Sequence, residues 1–266
     1  MNKIILISGS TDGIGKLAAQ LIAKDGHQLY LHGRNSKKLM QVVNETKRLS
    51  NNEKIKGFTS DFSDLNAVRQ MAQDIEAETS KIDVLINNAG VFKSPNIFTP
   101  DGFDLRFAVN YFAPYLLTHA LIPLLEQGTD ARIINLSSAA QSSISHEVLL
   151  GKQEQSIRET YAQSKLAITM WSFYLAQQLN KISVIALNPG SLLNTKMVQE
   201  AFGTHWDTAD KGANIIYELA VSEKYKGVTG KYFDNDKGGF GPAHADAYDT
   251  VLIDQLLQVT SDLLKS

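Results

Sequence analysis

Short apolar runs alternate along this chain with much longer stretches of helical periodicity, and that alternation restricts the fold more than any other feature. The runs fall at residues 3–8, 28–32, 55–60, 84–87, 132–136, 183–187 and 231–233. Most are continuous rather than period-two, as strands are when helices cover both faces of their sheet. Stretches such as 14–24, 65–78, 103–125 and 161–179 carry the helical period between them. Strands separated by helices predict a parallel sheet joined by right-handed crossovers. Seven such strands, with helices on both faces, make a doubly wound α/β sheet.

The 266 residues suit one large α/β domain or two small ones. No linker, low-complexity segment or repeat of 20–50 residues interrupts the pattern, so residues 1–266 are expected to form a single domain. A formal net charge of -2 argues against nucleic acid or an anionic membrane surface as partner. The chain has no cysteine, which removes disulfides, thiolate metal sites and cysteine nucleophiles and fits a reducing compartment. The first apolar run is too short for a signal core or a membrane span, and the final Leu264-Lys265-Ser266 is no peroxisomal signal. The expected location is the cytoplasm.

The first strand runs into "SGSTDGIG", with glycines at 9, 13 and 15. Between a strand and a helix, Gly9 permits a tight turn, Gly13 a close backbone approach, and Gly15 close helix–strand packing. Free N–H groups and the helix dipole then face an anion. This strand–loop–helix context makes the domain Rossmann-type. The second strand ends "LHGRN", with Gly33 where an acidic residue would meet the ribose 2′-OH of NAD, followed by Arg34. A guanidinium pairs with a 2′-phosphate that a carboxylate would repel, which favours NADP over NAD. Arg34 also fits a solvated arginine near a helix start. The third strand ends "TSDFSD". Asp61 there suits the adenine amino group, with Phe62 beside the ring, and suits a helix N-cap equally well.

Tyr161 and Lys165 stand four residues apart on a largely apolar helix, hence on one face. A free phenol titrates near pH 10 and is a poor base at neutrality. At about 4 Å and an effective dielectric of about 20, unit charges interact by roughly 4 kcal/mol, enough to draw the phenol's pKa down. A lone Tyr/Lys pair at this spacing is ordinarily a helix-surface pair. Here the fourth strand also runs into "NNAG" at 87–90. With the glycine loop and the Tyr–Lys pair, the chain resembles the short-chain dehydrogenase/reductase family over nearly its whole length.

The resemblance implies a hydride transfer between nicotinamide and a carbonyl or alcohol. It places a catalytic asparagine at Asn110, a polarising serine at Ser138, the general acid/base at Tyr161 and its partner at Lys165. Asn110 would hold a water that resupplies the proton, and Lys165 would also bind the nicotinamide ribose. The expected cofactor-binding set is Gly9, Ser10, Thr11, Asp12, Gly13, Ile14, Gly15, Arg34, Asn35, Asp61, Phe62, Asn88, Ala89, Gly90, Tyr161, Lys165, Pro189, Gly190 and Thr195. The family usually has threonine where Ser8 stands, a change that keeps a hydroxyl. Ser138 and Tyr161 lie farther apart than is usual, and the extra residues around 141–160 are polar. This spacing, "YAQSKLA" and "GKYF" resemble the branch of retinol dehydrogenases and related ketone reductases.

After Pro189-Gly190, residues at about 191–210 are expected to form a substrate lid. Leu192, Leu193, Met197, Phe202 and Trp206 offer it an apolar lining, with Phe92 and Ile144 opposite. Such a pocket suits a hydrophobic ketone, aldehyde or secondary alcohol. The same residues would equally pack the lid on the body. The helices at 103–125 and 161–179 commonly build a homodimer interface in the family, which the long polar insertion could obstruct here. No metal site is expected: the six histidines lack ligand spacing, and "DNDKGG" at 234–239 starts like a calcium loop but has glycine fifth and alanine twelfth. The rival reading is a non-catalytic NADP(H)-sensing protein of the same fold, which would not need Ser138, Tyr161 and Lys165 together.

Overall fold

Strand β1 (Ile4–Ile7) lies in the middle of the sheet and leads into helix α1 (Gly13–Lys24). The computed structural model describes residues 2–265; residues 1 and 266 of the expected domain lie outside them. The chain continues as β2 (Gln28–Gly33), α2 (Ser36–Ser50), β3 (Ile55–Thr59), α3 (Leu65–Glu78) and β4 (Val84–Asn87). Then come α4 (Leu105–Phe107), a π-turn at Ala108–Phe112, α5 (Ala113–Glu126) and β5 (Ala131–Leu136). Next are α6 (His146–Leu149), α7 (Ile157–Gln178), β6 (Ile182–Asn188), α8 (Lys196–Phe202) and α9 (Ala209–Val221). Finally β7 (Lys231–Asp234), β8 (Gly239–Gly241) and α10 (Thr250–Lys265) close the chain.

The strand order is β3-β2-β1-β4-β5-β6-β7-β8. The first seven are parallel, as expected, and β8 adds a short antiparallel edge to β7. The order reverses between β1 and β4, which opens a crevice at their carboxyl ends. Alternate strand residues feed two cores. Ile5, Ile7, Leu29, Leu31, Val84 and Ile86 pack with α1, α2 and α9. Leu6, Tyr30, Leu85, Ile133 and Val184 pack with α3, α5, α7 and α10.

Side-chain caps set several helix starts. Asp12 caps α1, Asn35 caps α2 and Asp64 caps α3. Ser156 caps α7 through Glu159 N, which starts that helix a turn before Tyr161. The expected helix at 103–125 is interrupted by the π-turn, which carries Asn110. Residues 105–126 are long and apolar enough to cross a membrane by composition alone, yet over half of that window is buried within the fold. The extra residues at 141–160 are less polar in their setting than in their composition: Val148 and Leu149 of α6 are buried in the core. The expected lid is α8 with its flanking loops, and α8 has no buried residue.

Candidate active site

The crevice begins at the glycine loop. Gly9 and Gly13 both have positive φ, +64° and +51°, a conformation that favours glycine. A Cβ on Gly9 would lie 2.6 Å from Ala89 Cα, and one on Gly15 2.3 Å from Asn88 Nδ2, so β1 and β4 close on each other only without side chains there. Ser8 completes the joint. Its hydroxyl accepts from Asn88 N and Ala89 N, both at 3.0 Å, the work a threonine hydroxyl would do. Asn88 Nδ2 donates to Ser8 O and Gly9 O, both at 2.9 Å. Asn87 serves the core instead, donating to Asn135 Oδ1 and Thr118 Oγ1. Asn88 and Ala89 thus meet Gly9 and Gly15 at one end of the crevice.

His32, which carried no role in the sequence reading beyond surface or core, holds this loop. Its Nδ1 accepts from Gly9 N at 3.0 Å, so Nε2 bears the proton and donates to Ser60 O at 2.9 Å. Burial lowers its pKa to about 4. Phe62 stacks on His32 with centroids 4.1 Å apart and is buried. The expectation of Phe62 beside an adenine ring is therefore corrected: its ring is core, and only its backbone remains for the crevice. Asp61 Oδ1 accepts from Ser63 N and Ser63 Oγ in a local turn, which leaves Oδ2 free.

At the end of β2, a Cβ on Gly33 would meet Thr11 Cγ2 at 2.3 Å, so an acidic side chain there would displace the glycine loop. Arg34 is exposed and enters no salt bridge among the described residues. Asn35 spends its side chain on the α2 cap. Asp12 accepts from Gly13 N at 2.8 Å and pairs with Lys38 at 2.5 Å. Its carboxylate thereby occupies one N–H at the head of α1. Ser10 and Thr11 complete the turn, Ser10 Oγ accepting from His32 N at 2.9 Å. Ile14 packs toward Gly212 in α9, where an added Cβ would come within 2.9 Å of it.

The other end of the crevice holds the reactive groups. Tyr161 lies at the first turns of α7, and Lys165 Nζ sits 5.7 Å from the Tyr161 ring centroid. The ammonium donates to Leu136 O, at the end of β5, at 2.7 Å. A Cβ on Gly90 would stand 3.5 Å from Asn110 Oδ1 and 3.6 Å from Lys165 Nζ, so these residues converge on one point. The structure separates two serines that the sequence sets side by side. Ser137 is buried and bonded to Thr169 Oγ1 and Lys165 O. Ser138 faces Tyr161, and its hydroxyl lowers the phenol's pKa through a hydrogen bond.

Two expectations change here. Burial raises the Tyr161 phenol above its ordinary 10, outweighing Ser138, and Lys165 is not among the groups that lower it. Burial also lowers Lys165 from 10.5 to about 8. Desolvation acts on both groups together. Asn110, placed by the π-turn, gives Nδ2 to Val91 O and Ser164 Oγ and accepts from Val91 N at 2.8 Å. Both amide protons are spent on protein, so a water relay through Asn110 rests on its backbone. Such π-turns are frequent at functional sites.

Residues of the expected lid approach the crevice at two points. Thr195 caps α8, and its Cγ2 would stand 3.4 Å from a Cβ on Gly13. Pro189 and Gly190 lead into it from β6. Phe92 packs edge-on against Tyr161 at 4.9 Å, and Phe202 packs on Phe92 at 5.3 Å. An aromatic column thus runs from the tyrosine to the lid. The residues present fit a dinucleotide: a side-chain-free cradle at the head of a helix, an exposed unpaired arginine beyond it, and a hydroxyl–phenol–ammonium set at the far end. Among the described residues no cluster of three His, Asp or Glu could hold a metal.

Comparison with known proteins agrees with this geometry. Residues 3–206 match the short chain dehydrogenase family. Human polyprenol dehydrogenase is 30% identical over 257 residues, covering 89% of this chain and 78% of that protein. Bovine retinol dehydrogenase 12 is 31% identical over 248 residues, covering 88% and 78%. Among solved structures, a short-chain dehydrogenase of Shigella flexneri complexed with NADP superposes with a TM-score of 0.72 at 28% identity, covering 89% and 98%. One from Escherichia coli complexed with NADPH gives 0.74 at 28%, covering 88% and 97%. The chain therefore belongs to the short-chain dehydrogenase/reductase family, in the retinol dehydrogenase branch, and is an oxidoreductase.

Proposed function

We propose that this chain is an NADP(H)-dependent oxidoreductase that transfers hydride between nicotinamide and a hydrophobic ketone, aldehyde or secondary alcohol. The grouping of Asn110 and Lys165 beside Gly90, with Tyr161 next to Lys165 and Ser138 next to Tyr161, carries this reading. Bound in the cleft, the nicotinamide supplies or accepts the hydride. Ser138 donates a hydrogen bond to the substrate oxygen. Tyr161 delivers a proton to that oxygen in reduction and takes it back in oxidation. Lys165 places its ammonium beside the phenol and would hold the nicotinamide ribose.

NADP is favoured by Arg34, by the exclusion of a side chain at Gly33, and by the NADP and NADPH found in two structural neighbours. The hydrophobic substrate is favoured by the Phe92–Phe202 column beside Tyr161 and by relatives named for retinol and polyprenol. A cytoplasmic site of action, where NADPH drives reduction, belongs to the same reading.

The test is loss of NADPH absorbance over a panel of apolar ketones and aldehydes, with NADP reduction by the matching alcohols. Tyr161→Phe is expected to leave NADPH affinity nearly intact and to cut turnover by at least about 100-fold, the ordinary share of acid–base catalysis. Tight NADPH binding with no turnover on any member of the panel would overturn the proposal and favour a cofactor sensor.

A further inference from the structure

The turn between β7 and β8 reads in sequence as an abortive calcium loop, yet its side chains Asp234, Asn235 and Asp236 are all engaged by other parts of the chain. Asp236 Oδ1 accepts from Ser191 N at 2.8 Å, and Oδ2 accepts from Ser191 Oγ at 2.6 Å and Asn188 Nδ2 at 2.9 Å. Asn235 Nδ2 donates to Pro189 O at 2.8 Å and to Lys211 O at 3.2 Å. Asp234 Oδ1 accepts from Asn188 Nδ2 at 2.9 Å. Every one of these bonds but the one to Lys211 ends on residues 188–191, the segment that joins β6 to the lid.

Beyond Ser191 the character of the chain changes. Leu192 has φ +46°, a left-handed conformation that a branched side chain adopts only under constraint. Trp206 N then donates to Leu192 O at 2.9 Å, and Asn194 N to Asp207 O at 2.8 Å, which closes the two ends of the lid on each other. Between them α8 buries nothing. Its contact with the site is Phe202 against Phe92. At its tip Phe202 also lies under the Arg158 guanidinium, 5.8 Å from the ring centroid, and at its base Leu193 is buried; a helix that buries nothing of its own takes its direction largely from that base.

We propose that Asp236 is the positioning residue of the lid: it locks Ser191 and Asn188, so that the strained step at Leu192 aims α8 and Phe202 over Tyr161. The role needs a carboxylate, because Asp236 accepts from three donors through two oxygens. An asparagine there would turn an NH2 group toward at least one of them. Asp236 is itself exposed on its outer side, so its loss acts on lid position more than on the stability of the core. The consequence for substrate binding rests on the function proposed above, whereas the mechanical consequence does not.

The two tryptophans make the mechanical part measurable. Trp206 is 76% exposed at the end of the lid and Trp171 is wholly buried, so the mobile component of fluorescence anisotropy reports Trp206. In Asp236→Ala, fast depolarisation of Trp206 is expected to grow. Tryptic cleavage after Lys196, on exposed α8, should quicken by at least about fivefold to tenfold, as the loss of three partly solvated hydrogen bonds allows. KM for an apolar ketone is expected to rise by a similar factor while kcat stays within about threefold, the pattern of lost ground-state binding. Asp236→Asn should fall between the two proteins. Ser191→Ala, which removes only the bond from its hydroxyl, should move every readout the same way by less, and it decides the matter should Asp236→Ala fail to fold. Unchanged Trp206 motion and unchanged cleavage in a folded variant would overturn the proposal without touching the chemistry assigned to Tyr161. A normal lid response with no turnover in any protein would instead count against the function alone.

Discussion

Lys165 is the most costly side chain in the site, and removing its charge should stabilise the protein while stopping its chemistry. Lys165 is only 5% exposed and its ammonium is desolvated. Its pKa falls from 10.5 to about 8 by burial alone. At about 1.4 kcal/mol per pH unit, that interval corresponds to about 3 kcal/mol by which the folded state disfavours the charged form. Lys165→Met keeps the length and apolar stem and removes the charge. It also takes away the donor to Leu136 O, a net loss of about 1 kcal/mol. The variant should therefore be more stable at pH 7 by about 2 kcal/mol, or about 4–8 °C in Tm for a chain of this size.

The pH dependence of that gain is the sharper test. The folded pKa lies below the unfolded one, so the unfolded chain binds more protons between about 8 and 10.5, and wild-type stability rises with pH across this window. Below pH 8 the penalty is fully present; by pH 10.5 most of it is gone. Urea unfolding of both proteins at pH 7 and pH 10, at equal ionic strength, isolates Lys165 because every other titrating group is shared. The gap should be largest at pH 7 and close toward pH 10. A variant less stable than wild type at pH 7, or a gap that does not change with pH, would refute the reasoning.

Two further outcomes follow from the cofactor end. His32 has a folded pKa of about 4 against an ordinary 6.5, so the stability it lends is complete above pH 6.5 and is lost as pH falls from 6.5 to 4. At pH 5 the loss should reach about 2 kcal/mol, seen as a falling urea midpoint that is flatter in His32→Gln. Arg34→Ala should raise KM for NADPH by at least about tenfold, the worth of a lost charged hydrogen bond, and leave KM for NADH nearly unchanged. Equal effects on both cofactors in steady-state kinetics would remove Arg34 from 2′-phosphate recognition.

Much of the site was legible because its motifs are local. The glycines at 9, 13 and 15 and the four-residue step from Tyr161 to Lys165 need only a strand–turn–helix or one helical turn to take effect, and the fold supplies both. Phe62 was misread for the opposite reason. A strand's end says where the backbone goes, but whether the next side chain faces the crevice or the core depends on His32, 30 positions earlier, which stacks on it. Asn110 likewise lies in a π-turn that shifts its register on the helix, and no apolar period marks such a turn. The turn at 234–236 could be tested for calcium spacing but not for partners, because its partners lie more than forty residues away on the lid's base.

The pKa of Tyr161 shows where local reading stops. Spacing alone places an ammonium beside the ring, and spacing alone therefore predicts a lowered phenol. The ammonium, however, is oriented by a carbonyl on β5, while Phe92 packs edge-on against the half-buried tyrosine. Desolvation acts on both members of the pair and pushes them in opposite directions, the phenol up and the ammonium down. Each is thereby moved toward its neutral form. In the proposed reaction, reduction of a carbonyl uses the protonated phenol and oxidation of an alcohol the deprotonated one. Comparing the pH dependence of turnover in both directions tests this: the oxidative limb should require a higher pH than the reductive one, and coincident profiles would mean that the protonation of Tyr161 does not set the pH dependence.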